Sequence, residues 1–269
     1  MSRIEEALEK AEKLRSAMFP VSEEKKSPRE HVPPPMPGVA LKITNQLLVS
    51  AGHLNTPAAE EYRKLKSAIV RLTKGDGFSN MLMVTSSIGS EGKSITALNL
   101  ALSLAQEFDH TVLLIDADLR KPSVHTCLGI ENKMGLTECL LDGVDVKDAM
   151  IRTGIGKLSL LTAGREVRNP AELFTSQRVR EFFLELKNRY HDRYIIIDTP
   201  PVLPFAETRS LSAVVDGVVL VVKEGEVSLD KISETMECLR GTSLLGIVYN
   251  EAANYHSDSH QYYRQSYAI

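Results

Sequence analysis

Residues 81–122 read MLMVTSSIGSEGKSITALNLALSLAQEFDHTVLLIDADLRKP and contain the pattern that decides the fold. An apolar run leads into a loop of small residues and then into Lys93 and Ser94, which open a helix-periodic segment. A second apolar run follows and ends on Asp116 and Asp118. The order is strand, loop, helix, strand and acid, which is typical of nucleoside triphosphate binding. We therefore expect this loop to bind phosphate.

The loop supplies the donors that a triphosphate needs. Small residues let backbone N–H groups approach the phosphates, and a helix that begins near Gly92 adds the positive end of its dipole. Lys93 can reach the β- and γ-phosphates, and the Ser94 hydroxyl can ligate Mg²⁺. The alternative is that Lys93 is a solvated lysine and Ser94 a simple helix cap. The expected nucleotide contacts are Ser87, Ile88, Gly89, Ser90, Glu91, Gly92, Lys93, Ser94 and Ile95.

Composition and charge are those of an ordinary globular protein. The chain has 269 residues, of which 43% are apolar and 25% charged, enough for a sizeable core. The net charge of −3 gives no reason to expect nucleic acid as a partner. No apolar run approaches the roughly 18 residues that a membrane span needs. Three widely spaced cysteines suggest neither a disulfide framework nor a zinc site, so we expect a cytoplasmic protein.

Four segments differ in composition. Residues 1–18 combine charge with a narrow apolar stripe, which predicts a helical arm that is either frayed or docked on a partner. Residues 19–38 hold six of the twelve prolines and predict an extended linker. Residues 39–254 form the expected catalytic domain, and residues 255–269 a flexible tail rich in tyrosine.

Apolar runs alternate with helix-periodic segments after the linker. We expect strands at residues 81–84, 112–115, 158–161, 194–197, 218–222 and 244–248, and helices at 57–74, 170–190 and 229–240. This alternation predicts a doubly wound, mostly parallel α/β sheet with helices on both faces, the fold of P-loop nucleotide hydrolases. The carboxyl ends of such strands form the ligand crevice, so Asp116, Asp198 and Asn250 should converge there.

Three aspartates compete for the catalytic and metal-binding roles. A metal–triphosphate site needs a carboxylate that holds Mg²⁺ directly or through water, and transfer needs a group that takes the acceptor's proton. Asp116, Asp118 and Asp198 suit either task. The alternative for Asp118 and Asp198 is a carboxylate that only caps a turn. Arg120 and Lys121 follow, and they either steady phosphate or only solvate the loop.

Four of the chain's eight tyrosines fall in its last fifteen residues. They are Tyr255, Tyr262, Tyr263 and Tyr267. The surrounding segment is polar and offers them no core. We interpret them as phosphate acceptors. The alternatives are a tail that docks through its aromatic rings and a metal-binding tail that uses His256 and His260.

These motifs resemble those of the bacterial tyrosine autokinases of exopolysaccharide synthesis, of the cytoplasmic type that works with a membrane chain-length regulator. The segments that carry the resemblance are VTSSIGSEGKS, VLLIDADLRKP, NPAELF, YIIIDTPP and the tyrosine cluster. The resemblance covers about residues 56–269. More loosely, the opening MSRIEEALEKA is similar to that of kinases encoded in exopolysaccharide and exosortase loci.

The resemblance implies a role for each motif residue. Lys93 and Ser94 would hold the phosphates of ATP and its Mg²⁺. Asp116 would take the proton of the incoming tyrosine hydroxyl, and Asp118 and Asp198 would complete the metal and water shell. The four tail tyrosines would accept the phosphoryl group. The family usually has glycine at the position that Ser90 holds here.

The resemblance also implies partners. Family members assemble as rings in which one subunit's tail enters the neighbour's site, through a helix motif E-x-x-R-x-x-R. Glu60, Arg63 and Lys66 hold those positions here, and lysine cannot make the bidentate fork of arginine. The same spacing is also that of an ion-pair face within one helix. A separate membrane chain-length regulator would order the site at the inner face of the cell membrane, and a tyrosine phosphatase would reverse the modification.

Two other functions compete with the kinase. One is an ATPase switch related to partitioning and septum-positioning ATPases, with water as the acceptor. Those relatives carry a lysine early in the loop, where this chain has Ile88, and they lack a tyrosine tail. The other is a nucleotide-bound scaffold whose tail only docks, although Lys93, Asp116 and Asp198 are intact. Asn250 and the turn at residues 169–172 either contact the base or serve as structural caps.

Overall fold

The structure, a computed structural model, describes residue 43 and residues 45–52, 56–74, 78–107, 109–190 and 192–252. Within these residues a seven-stranded sheet carries helices on both faces. The N-terminal arm expected at residues 1–18, the linker at 19–38 and the tyrosine tail at 255–269 lie outside the described residues.

The strands run mostly parallel. They are β1 (Met81–Ser86), β2 (Thr111–Asp116), β3 (Ile151–Arg152), β4 (Leu158–Leu161), β5 (Arg193–Asp198), β6 (Gly217–Lys223) and β7 (Leu244–Asn250). Their order across the sheet is β3-β4-β2-β5-β1-β6-β7, and only β3 is antiparallel to its neighbour. The predicted doubly wound α/β fold is confirmed. The sequence did not predict β3, because two residues form no apolar run.

Nine helices are described, and one of the predicted helices is divided in two. They are α1 (Pro57–Thr73), α2 (Lys93–Leu104), α3 (Val124–Leu128), α4 (Leu136–Asp142), α5 (Val146–Ala149), α6 (Pro170–Thr175), α7 (Gln177–Arg189), α8 (Ala206–Ser212) and α9 (Leu229–Cys238). The helix predicted at residues 170–190 breaks at Ser176, which has extended backbone angles and accepts a hydrogen bond from Val179 N at 3.4 Å. Ser176 therefore caps α7 after α6 has ended.

Two hydrophobic cores lie on the two faces of the sheet. Alternate residues of a strand point to opposite faces, and all six residues of β1 are buried. Leu82 joins the core that contains the apolar residues of α2, whereas Met83 joins the core that contains Phe183 of α7. This packing on both faces holds the carboxyl ends of the strands, and the loops that follow them, in fixed positions. None of the described helices is long and apolar enough to cross a bilayer.

Candidate active site

The carboxyl ends of β1, β2 and β5 bring the predicted phosphate loop and the three aspartates together. Asp116 ends β2 and Asp198 ends β5, and the two residues are paired in register across these neighbouring strands. Lys93 is the first residue of α2, directly after the loop that follows β1. Asp118 lies two residues beyond β2. The four residues that we expected to carry catalysis therefore share one site.

Lys93 is the cation at the centre of this site. Its Nζ donates to Asp118 Oδ2 at 2.7 Å and to Ser94 Oγ at 3.1 Å, and it lies 3.5 Å from Asp198 Oδ1. The Lys93 side chain is only 11% exposed. Burial opposes its charge, but Asp198 and Asp118 together raise the pKa of Lys93. Lys93 therefore stays an ammonium and balances buried carboxylates.

One carboxylate oxygen of Asp198 accepts no hydrogen bond from the residues that the structure describes. Its side chain is fully buried, and its Oδ2 has no hydrogen-bond partner within the described residues. Burial raises the pKa of Asp198, and Lys93 and Ser94 oppose the rise. A buried polar atom left unpaired is costly, and a divalent cation would satisfy it. With Asp118 and the Ser94 hydroxyl, this set of hard oxygen donors fits Mg²⁺, which completes its shell with phosphate and water oxygens.

Asp116 and Asp118 both accept hydrogen bonds from the loop that follows β2. Asp116 Oδ2 accepts from Ser123 N and Val124 N, each at 3.1 Å, and Oδ1 accepts from Asp118 N at 3.2 Å. Asp118 Oδ1 accepts from Lys121 N at 3.0 Å. We considered a turn-capping role for Asp118 and Asp198. In the structure, Asp118 and Asp116 have that role. One lone pair of Asp116 Oδ1 stays available for a proton.

The raised pKa of Asp116 should make the stability of the metal-free protein depend on pH. Burial, and next the charge of Asp198, raises the pKa of Asp116 from its ordinary 3.8 to about 8. At a pH between these two pKa values, Asp116 is ionised in the unfolded chain but still protonated in the folded protein. The stabilisation by the bound proton is therefore complete below the ordinary pKa and is lost as pH rises through the raised pKa. We expect the free energy of unfolding to fall by about 1 kcal/mol between pH 7 and pH 8.

Urea unfolding without Mg²⁺ or nucleotide measures this dependence. Burial lowers the pKa of His125, which acts in the opposite direction but only below its ordinary value of 6.5. The interval from pH 7 to pH 8 therefore reports mainly the aspartates. Asp116→Asn, as the control, should flatten the curve. A stability that is constant or rises over this interval in the unsubstituted protein would contradict the assigned pKa.

Glu91 and Asn250 hold the phosphate loop from within the protein. The buried Glu91 accepts from Ile88 N at 2.8 Å through Oε2 and from Lys223 N at 3.2 Å through Oε1. Asn250 Nδ2 donates to the Glu91 carbonyl at 2.9 Å. In the structure these groups of Ile88, Glu91 and Asn250 hold the loop together, and the nucleotide contacts that we expected from the three residues stay predictions. The sequence had no signal for this role of Glu91, because glutamate is almost always exposed.

Two loop residues adopt the left-handed conformation. Gly92 has φ +89°, and a Cβ there would lie 2.2 Å from Asn250 Nδ2, so the position requires glycine. Ser90 has φ +68° and is exposed, which explains why glycine suits its position in similar loops. A serine in this conformation carries a strain of about 1–2 kcal/mol.

The other predicted loop contacts differ in what they can offer a nucleotide. Ser87 Oγ is buried and has no hydrogen-bond partner among the described residues. Gly89 has open space where a Cβ would be, so a ligand can approach its backbone closely. Ile95 packs against the hydrophobic core. Only the backbone of Ile95 can therefore contact a ligand.

The predicted oligomer motif forms ion pairs within one subunit. Glu60 and Arg63 pair one turn apart on α1. Lys66 Nζ lies 2.6 Å from Glu107 Oε1, beyond the end of α2. These are the contacts of an ion-pair face. A ring contact through the same side chains would have to exchange them for contacts with a neighbour.

Known proteins resemble this chain over most of its length. The family described as an AAA domain matches residues 79–243. The tyrosine-protein kinase YwqD of Bacillus subtilis is 39% identical over 194 residues, which are 71% of this chain and 80% of YwqD. Some similar kinases are longer, and this chain covers only 27–30% of their length.

Solved structures agree with these relatives. The chimerical protein CapA2B2 has a TM-score of 0.69 at 31% identity, over 80% of this chain and 93% of that one. The kinase domain of the Escherichia coli tyrosine kinase ETK has a TM-score of 0.69 at 28% identity, over 78% and 83% of the two chains. A plasmid partition protein matches with a TM-score of 0.50 at 21% identity, a likeness that concerns the fold alone.

Proposed function

The chain belongs to the bacterial tyrosine-protein kinase family, and we propose that it transfers the γ-phosphoryl group of ATP to tyrosines of its own C-terminal tail, in trans between subunits. The modification would regulate exopolysaccharide polymerisation or export. The observation that carries the proposal is the convergence of Lys93, Asp116, Asp118 and Asp198 at the mouth of a phosphate loop.

The phosphate loop and Lys93 would bind the triphosphate. Backbone N–H groups at Gly89 and at the start of α2 can face phosphate oxygens, and Lys93 adds a positive charge. Ser94, Asp118 and Asp198 would hold Mg²⁺, which would supply positive charge that neutralises the negative charge developing on the phosphates during transfer. The unpaired Oδ2 of Asp198 supports this assignment.

Asp116 would take the proton from the acceptor. In the transfer, the tyrosine oxygen forms a bond to the γ-phosphorus, the bond from that phosphorus to the β–γ bridging oxygen breaks, and ADP leaves. The hydroxyl proton passes to Asp116. The burial that raises the pKa of Asp116 in the metal-free protein makes this carboxylate a stronger base than an ordinary aspartate, and bound Mg²⁺ would offset part of that rise.

The alternative of an ATPase switch with water as the acceptor has less support. The partition-type relative shares the fold alone, whereas the kinase relatives share up to 39% of aligned residues. Position 88, where the switch proteins carry a lysine, is an isoleucine whose amide binds Glu91. The kinase reaction is therefore the better-supported function.

The end of β7 supports the tail tyrosines as acceptors. β7 ends at Asn250, whose side chain binds the phosphate loop, so the last strand ends beside the active site. Residues 255–269 follow a few positions later in the sequence. The acceptor tyrosines themselves lie outside the described residues, and their role stays a prediction.

Partners form part of the same proposal. The kinase would form a homo-oligomeric ring through Glu60, Arg63 and Lys66, and a tyrosine phosphatase would reset it. A membrane chain-length regulator would hold it at the inner face of the membrane. The greater length of some similar kinases and the chimerical nature of CapA2B2 support a kinase that works with a second polypeptide region.

Labelling with γ-labelled ATP and Mg²⁺, followed by peptide mapping, tests the proposal. A catalytically intact chain truncated after Asn254 would be mixed with full-length Lys93→Met. Label on the tail of Lys93→Met would show transfer in trans. Tyr249→Phe, which removes an exposed tyrosine of β7, is the control and should label normally. Phosphate release without labelled protein, even with a partner segment added, would favour the ATPase switch.

A further inference from the structure

We infer that Arg120 and Glu207 are positioning residues, which hold the loop carrying Asp118 in place and so set the Mg²⁺ affinity of the nucleotide site. The inference rests on the proposed function, because it concerns how that kinase binds the metal that accompanies ATP. Neither residue was assigned a role in positioning by the sequence pattern.

Arg120 is fixed by two different contacts. Its Nε donates to Glu207 Oε1, and its Cζ lies 4.4 Å from the centre of the Phe205 ring. The hydrogen bond fixes the direction of the guanidinium group, and the cation–π contact holds it over the face of the ring. Arginine can make both contacts at once because it is planar and keeps its charge. The side chain is therefore a rigid link, although 36% of its surface is exposed.

Movement of Arg120 would be transmitted to Asp118. Arg120 follows Asp118 by two residues, and the next residue, Lys121, donates its amide to Asp118 Oδ1 at 3.0 Å. On the other side, Asp118 N donates to Asp116 Oδ1. Asp118 thus lies in a small closed turn, and Arg120 ties the outer end of that turn to another helix.

Glu207 belongs to the segment after β5, the strand that lies between β2 and β1 in the sheet. It lies in the first turn of α8, after the loop that leaves β5. That loop is bonded to the phosphate-loop side of the site, because Val202 N donates to Ser86 O at 2.8 Å and Leu203 N to Ser87 O at 3.2 Å. The Arg120–Glu207 pair therefore connects the loop that carries Asp118 with the segment that is hydrogen-bonded to the start of the phosphate loop.

A purely structural role explains this pair poorly. Glu207 in a first turn favours helix α8, but an acid can do this from an exposed position. Glu207 is instead fully buried, and its Oε2 has no partner in the described part of the chain. Burying an ion pair adds little net stability over apolar side chains. The geometry that the pair imposes is the better explanation for its burial.

Mg²⁺ binding is the property that should respond first to the loss of the Arg120–Glu207 contact. Mg²⁺ requires nearly ideal octahedral geometry, with ligand oxygens at about 2.0–2.1 Å. A small displacement of Asp118 would weaken such a site while the fold and the phosphate loop stay intact. Residues that orient metal ligands typically contribute about 10–100-fold to metal affinity.

The test is a Mg²⁺ titration of the binding of a fluorescent ADP analogue to the full-length protein. Arg120→Met and Glu207→Gln should each raise the half-saturating Mg²⁺ concentration about tenfold. Binding of the analogue in EDTA should stay within about twofold of the unsubstituted protein, because the phosphate loop is unchanged. The double variant should be no worse than either single variant, since the two residues act as one link.

The direction in which Arg120→Met changes the Mg²⁺ affinity distinguishes a positioning role from a direct electrostatic effect on the metal. If the two charges acted on the metal through space, removing a positive charge would tighten Mg²⁺ binding and removing a negative one would weaken it. Positioning predicts that both variants weaken it. Lys187→Met is the matched control. It breaks a partly buried ion pair with Asp216 at the opposite end of β1, so it should lower the melting temperature without changing the Mg²⁺ titration.

A half-saturating Mg²⁺ concentration within twofold of the unsubstituted protein in both variants would overturn the inference. Tighter binding in Arg120→Met would overturn it too. If Glu207→Gln fails to fold, the Mg²⁺ titration of Arg120→Met decides the test, because Arg120 is partly exposed. The readout is independent of tyrosine transfer. A protein that binds Mg²⁺ and nucleotide but labels no tyrosine would contradict the proposed function. The Mg²⁺ titration would still test the role of Arg120 and Glu207.

Discussion

Lys93→Met is expected to abolish phosphoryl transfer to the tail, with a loss in rate of at least about 10²–10³-fold. Lys93 is the one cation that contacts both Asp118 and Asp198 in the described part of the site. It is also the first residue of the phosphate-loop helix, so in the proposed reaction its charge would lie close to the transferring phosphoryl group. Initial rates of tyrosine labelling measure the effect.

The same substitution should reduce stability, and this effect must be separated from catalysis. Removing Lys93 leaves carboxylates buried without their cation, which costs about 3 kcal/mol or more unless they take up protons. Lys93→Arg keeps a cation beside the acids, so it should regain much of the stability. It should not regain activity, because the guanidinium group has a different shape and reach. Exposed Lys133→Met is the control and should change neither property.

More than a tenth of the normal labelling rate in a folded Lys93→Met protein would contradict the assignment. Activity restored in Lys93→Arg would also count against it. In that case Lys93 would mainly balance the charges of the buried aspartates, and the phosphate loop itself would supply the stabilisation of the transferring group.

Asp116→Asn is expected to lower kcat by about 10²–10⁴-fold, the usual contribution of a positioned general base. ATP affinity should change little, because Asp116 bonds to the loop after β2 and not to the phosphate loop. An asparagine oxygen can still accept from Ser123 N and Val124 N, so the start of α3 should be retained, whereas its NH2 group cannot accept from Asp118 N and that one hydrogen bond is lost. Single-turnover labelling at saturating ATP measures this loss.

The pH dependence of the transfer rate distinguishes a general base from a residue that only caps α3. In the unsubstituted protein the transfer rate should rise with pH as Asp116 ionises, with a midpoint below the metal-free pKa of about 8 because bound Mg²⁺ would favour the carboxylate, and Asp116→Asn should lose this dependence. Asp118→Asn is the comparison, since it should instead raise the Mg²⁺ requirement. A loss of less than tenfold in Asp116→Asn, with an unchanged pH profile, would leave Asp116 as the cap of α3 alone.

The local patterns in this sequence were sufficient for the fold and for the location of the site. Long apolar runs bury on both faces of a sheet, so each predicted strand could be recognised without knowledge of its neighbours. The phosphate loop follows β1 and the acids follow β2 and β5, and parallel strands place their carboxyl ends at one edge. Convergence of Lys93, Asp116 and Asp198 therefore followed from strand order alone.

Local breaks were less visible in the sequence. The helix pattern of residues 170–190 continues through Ser176, although the chain leaves the helix there to cap α7. The serine was a usable signal, because it can act as a cap as well as a helix residue. The edge strand β3 had no such signal, since its two residues are held by pairing with β4.

The sequence by itself determined the sheet, the phosphate loop and the group of acids, because each depends on neighbours in the chain or on the parallel order of strands. Only the tertiary structure decided which side chains hold that site together. Glu91 reaches Lys223 across 132 residues, Asn250 reaches Glu91 across 159, and Arg120 reaches Glu207 across 87. Such contacts leave no periodicity in the sequence, because they depend on the distance between loops after the core has packed.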